Sequence, residues 1–163
     1  MPVPYLTCMA LVASIYHLPP RVLPSVQGVE GGWVGSTHRN TNNTEDLGVM
    51  QVNTTWLSPL AHYTHTPVAT VYTRLRDDAC YNIAAAGAIM RTYLDETGGN
   101  LMQAVGNYHS HTATLNVAYQ ALVIRSAKRL FLPNGVSSSI QRSPAERIAL
   151  QKRLVRIAKR ERG

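Results

Sequence analysis

One stretch limits what this chain can fold into more than any other: WVGSTHRNTNNTEDLG at 33–48, set between segments whose apolar residues recur at helical spacing. Short Asn, Thr and Asp side chains compete for backbone hydrogen bonds, so a run of them resists regular helix and favours loops. A chain built this way is mainly α-helical with a single polar excursion. The segment that follows, GVMQVN at 48–53, alternates in the manner of a short strand or extended turn.

Six helical segments can be read around that excursion. Leu6, Met9, Ala10, Ala13 and Tyr16 share one face of the first. Val22, Val26 and Val29 line a second, which ends at Glu30 because Gly31 and Gly32 follow. Asp77 or Asp78 caps a third running to Glu96, with Cys80, Ile83, Ala84, Gly87, Met90 and Leu94 as its buried stripe and glycines at 98 and 99 as its stop. Asn100 caps a fourth through Leu101, Ala104, Val105 and Tyr108. A fifth, from Thr112 to Leu130, buries Leu115, Ala118, Tyr119, Leu122 and Leu130. After the linker LPNGVSSS at 132–139, SPAE at 143–146 offers a capping box for a sixth, with Leu150, Leu154, Ile157 and Ala158 on one side. The division is a 1–132 domain and a 133–163 linker with a basic helix or tail.

With 163 residues, 45% of them apolar, the chain suits one domain with a core. No apolar run approaches the roughly 20 residues of a membrane span. The start, MPVPYLTCMALVASIYHLPP, lacks a cationic head and carries prolines at 2 and 4, so it reads as a core helix rather than a leader. Net charge is +7, but residues 142–163 hold eight of the sixteen Lys and Arg and two of the nine Asp and Glu, which leaves the rest close to neutral. A nucleic-acid partner would rest on that tail alone, and none is expected. Cys8 and Cys80 fit neither a zinc pattern nor a CxxC motif; by spacing they are either two buried thiols or one bridge. HYTH at 62–65 and HSH at 109–111 lack further ligands nearby, so no metal or other cofactor is expected. The glycosylation triplets at Asn42 and Asn53 are taken as coincidence. Tyr72, Tyr81 and Tyr93 serve the core or the wall of a groove.

Glu30 is the residue that suggests chemistry. A carboxylate at the negative end of a helix dipole, beside Val29 and Trp33, is discouraged from ionising, as a general acid at neutral pH requires. The sequence after it sharpens the reading. EGG, then NTNNTEDLGVMQVNTTW, then CYNIAAAGAIMRTYL at 80–94 and GNLMQAVGNYHSHT at 99–112 follow one another in an order that resembles the lysozyme-like superfamily. Within it the match is to the lytic transglycosylases of the SLT type, and most nearly to the small group attached to specialised secretion and conjugation machinery. The resemblance spans about residues 5–130.

It implies a mainly α lysozyme-like fold with a very small β element. Glu30 would be the catalytic acid and base, with Met50, Gln51 and Asn53 along the sugar groove and Tyr108 reaching toward the Glu30 carboxylate. Gly31 stands where many relatives have serine, and His109 where asparagine is common. The implied substrate is peptidoglycan, cut between N-acetylmuramic acid and N-acetylglucosamine with closure of a 1,6-anhydro ring. The implied workplace is the periplasm, which favours a Cys8–Cys80 disulfide, and secretion-system proteins are candidate partners through the tail. Asp46, sixteen positions after Glu30, resembles the second carboxylate of animal-type lysozymes; it is read here as holding turn amides around Gly48 or as a minor substrate contact. The rival readings are a hydrolase using Glu30 and Asp46, and a glycan-binding assembly module with little turnover.

Overall fold

In the computed structural model, residues 3–132 are described. The chain runs through α1 (Leu6–Ile15), α2 (Val22–Glu30), β1 (Thr37–Arg39), β2 (Glu45–Leu47), β3 (Val52–Asn53), α3 (Leu57–Thr64), α4 (Val68–Asp77), α5 (Ala79–Glu96), α6 (Leu101–His109) and α7 (Ala113–Phe131). The strands form one antiparallel sheet in the order β1-β2-β3, with His38 opposite Asp46 and Asp46 opposite Asn53. The expected mainly helical fold with a small β element is thus observed. The expected tail helix and the boundary at 133 lie outside the described residues.

Helix α5 is the axis of the core. Asn82, Ile83, Ala85, Ala86, Gly87, Ile89, Met90 and Leu94 are all buried on it, more than one stripe can hold, because α1, α4 and α6 pack around it. Asp78 caps it by accepting the Tyr81 amide, and Asn100 caps α6 by accepting the Gln103 amide, both as the sequence suggests. The Cys8–Cys80 disulfide joins α1 to the first turn of α5.

Three expectations need correction. The segment 54–77 contains two helices, α3 and α4, that the apolar pattern does not reveal: it holds Pro59, Pro67 and many β-branched residues. Pro59 sits in the first turn of α3 and Pro67 immediately before α4, where a missing N–H costs nothing. Part of the expected loop at 33–48 pairs instead as the β1–β2 hairpin, while Gly48–Gln51 turns and only Val52–Asn53 is strand. Finally, α7 presents a different face from the expected one. It buries Asn116, Tyr119, Val123 and Ser126 and leaves Leu115 and Leu122 exposed. The reason is steric. A Cβ on Gly106 would fall 2.0 Å from the Asn116 side chain, and one on Gly28 would fall 2.4 Å from Ser126, so polar residues of α7 seat against glycines of α6 and α2.

Candidate active site

Glu30 is the last residue of α2, and Gly31 ends the helix in the left-handed conformation at φ 63°. A Cβ at position 31 would meet no neighbour within 4 Å, but a serine there would have to adopt that same strained backbone. Gly32 is fixed by contact: a Cβ there would lie 2.1 Å from the Gly48 carbonyl oxygen. The EGG sequence therefore stops the helix and lets the 48–51 turn close against its end.

That turn is pinned from below by one buried side chain. Asn82 Oδ1 accepts the Met50 amide at 2.7 Å, and its Nδ2 donates to the carbonyls of Leu47 (2.7 Å) and Leu75 (2.8 Å). Gln51, at φ 50°, donates from Nε2 to Gly48 O and Ser36 Oγ. Strain of this kind persists where surrounding structure over-determines it, and it collects at functional sites.

Glu30, Asp46, Gln51, Asn53 and Tyr108 all line one cleft of about 570 Å³. Met50 does not: its side chain is fully buried in the core, and it serves the site through its carbonyl, which accepts the Tyr108 hydroxyl at 2.9 Å. Tyr108 is therefore committed to the turn rather than to the carboxylate. The hydroxyl that donates to Glu30 Oε1 belongs to Tyr119 on α7. His109 covers it, its ring stacked on Tyr119 at 4.9 Å and 7°. Periodicity identified Tyr119 as a core residue, but nothing in its spacing indicated that its phenol tip would meet a carboxylate 89 positions away.

Burial lifts the Glu30 carboxyl from 4.5 to about 7; the Tyr119 hydrogen bond works against this, and the Asp46 charge adds to it. The same burial and carboxylate hold the Tyr119 and Tyr108 phenols firmly protonated. Asp46 does not hold backbone amides. Asn40 Nδ2 donates to its Oδ2 at 3.0 Å and Asn53 Nδ2 to its Oδ1 at 2.7 Å, with both carboxamides also reaching Thr44 Oγ1. The sequence run NTNNTED supplies Asn40, Thr44 and Asp46 of this cradle, and β3 supplies Asn53. Asn42 and Asn53, read by letter as glycosylation sites, are cleft residues.

The opposite wall is aromatic. Trp56 meets Tyr93 edge-on at 5.8 Å, and Tyr93 meets His111 at 5.3 Å, all three in the cleft. Trp56 closes the NTTW block, and nothing in its spacing marks it as a site residue. Tyr72 and Tyr81 lie elsewhere, the first bonded to Glu45 and the second beneath Arg74. Among the described residues no three His, Cys, Asp or Glu side chains gather as a metal site.

A carboxyl raised to about 7 by burial and lining a polar cleft with aromatic side chains is suited to donating a proton to a sugar oxygen. Residues 8–122 match the family model of the transglycosylase SLT domain. The chain belongs to this family. The family is that of the lytic transglycosylases of the lysozyme-like superfamily, and its substrate class is peptidoglycan. No curated protein matches the chain. In this family member the α2 end, the 48–51 turn and α7 together position the Glu30 carboxyl, and no helix among the described residues is long and apolar enough to cross a membrane.

Proposed function

We propose that this transglycosylase cuts the β-1,4 bond between N-acetylmuramic acid and N-acetylglucosamine with Glu30 as its single acid and base. The protonated carboxyl gives its proton to the bridging oxygen, and the bond from C1 to that oxygen breaks. The carboxylate then takes the proton from the C6 hydroxyl of the muramic sugar, whose oxygen closes on C1. Glu30 ends protonated, no water is consumed, and a 1,6-anhydro ring remains. The observation that carries this reading is the Glu30 carboxyl at about 7, where it can give and take a proton in one turnover.

A second reading is favoured by one observation: Asp46 faces the same cleft with both oxygens held by Asn40 and Asn53. An ionised carboxylate beside C1 would stabilise the oxocarbenium-like sugar long enough for water to attack, giving hydrolysis. Mass spectrometry of cell-wall digests separates the two. Anhydro ends, one water lighter than reducing ends, are expected from the parent chain and absent from Glu30→Gln; reducing ends alone would establish the hydrolase instead.

The disulfide supports work in an oxidising compartment such as the periplasm. Its role there would be to open the wall locally for an envelope-spanning secretion or conjugation apparatus, with the basic tail as the candidate contact to that machinery.

A further inference from the structure

A second cavity, of about 310 Å³, lies between α6 and α7 and shares Asn107 and His111 with the catalytic cleft. The two therefore adjoin at those residues. An unsubstituted sugar strand in the cleft has nothing to place in an adjoining groove, whereas peptidoglycan carries a peptide on its muramic sugars. We propose that this groove binds the first residues of that peptide stem, a refinement that rests on the peptidoglycan reading above.

The lining suits an amide chain better than a sugar. Asn100, Gln103 and Gln120 line the groove, and Asn100 Nδ2, the Gln103 carboxamide and Gln120 Oε1 have no hydrogen-bond partner among the described residues. Together they offer donors and an acceptor, the two functions each peptide unit needs. Ala113 and Val117, the latter 64% exposed, supply a small aliphatic surface for methyl side chains. Apart from the shared His111 imidazole no aromatic ring lines it among the described residues, in contrast to the cleft with its Trp56 and Tyr93. Lys and Arg are absent from the lining as well, and Glu96 stands at the mouth, 2.8 Å from His111 Nε2. The groove thus fits the neutral, amide-linked start of the stem rather than its carboxylates. Its volume sits at the low end of the roughly 300–1,000 Å³ common for small ligands, enough for a few small residues and too little for a second glycan strand.

The test is calorimetric binding of a soluble disaccharide-peptide and of the same disaccharide without its peptide, to the full chain and to Gln103→Ala and Val117→Lys. Both positions are exposed, so both variants keep the core. The parent is expected to favour the peptide-bearing ligand about tenfold, the worth of one or two neutral hydrogen bonds with some apolar contact. The variants should lose that preference while holding the bare disaccharide equally well. Equal parent affinity for the two ligands overturns the proposal, as does a variant that weakens both alike, which would make the groove a sugar site. Wall digestion run in parallel keeps the two readings apart: a parent that prefers the peptide ligand but cuts nothing sinks the activity and leaves the groove standing.

Discussion

A carboxyl group taken out of water keeps its proton longer, and at Glu30 the protein accepts a cost in stability for it. Between 4.5 and about 7 the unfolded chain releases this proton while the folded chain retains it. The folded state therefore binds more protons, and stability falls as pH rises through that window. Glu30→Gln removes the penalty. The variant is expected to be more stable than the parent at pH 8, by up to about 3 kcal/mol, with the gain gone below pH 4.5; urea titrations at the two pH values check it. Its cutting rate should fall about 10²- to 10⁴-fold, the usual worth of acid–base catalysis. Tyr119→Phe tests the opposing influence. Because the Tyr119 hydrogen bond lowers the Glu30 value, its loss should move the alkaline limb of the pH–rate profile upward, measured on solubilised glycan. An unmoved limb would deny Tyr119 its hold on the acid.

At the scale of elements, the site depends on a turn that has little regular structure of its own. Asn82 on α5 supplies its hydrogen bonds from beneath. Asn82→Ala leaves one buried amide and two buried carbonyls short of a partner, at about 1–3 kcal/mol for each group left unsatisfied. A loss of about 3 kcal/mol or more in denaturant unfolding is expected, and a loss under 1 kcal/mol would show that the turn supports itself. Sequence alone places Asn82 inside a helix and gives no hint that it faces a loop over thirty residues away. The same limit explains α7. Its apolar residues surround the helix, so periodicity selects Leu115 and Leu122, whereas the packed face is chosen by which side chains fit against Gly28 and Gly106. Helices α3 and α4 escape notice because tertiary packing of Leu60, Val71 and Leu75 outweighs their weak propensity.

For the molecule as a whole, the Cys8–Cys80 bridge spans 72 positions and ties the first helix to the central one. By loop-closure entropy it contributes about 4 kcal/mol. The Cys8→Ser, Cys80→Ser double variant is expected to lose stability of that order in urea, while its product chemistry stays unchanged because neither sulfur touches the cleft. A variant as stable as the parent would mean that the helix packing alone holds α1 in place. What the sequence by itself determined is what local chemistry can carry: the helical build, the caps at Asp78 and Asn100, the glycine stop after Glu30, and the ordered blocks that mark an SLT domain. The tertiary structure alone decided which phenol meets Glu30, what holds Asp46, that Met50 is core, and that a second groove adjoins the cleft at Asn107 and His111. Spacing along a chain fixes which residues share a face of one element, but contacts between elements follow from steric fit and from the pairing of buried polar groups. Those are settled only when the whole core closes.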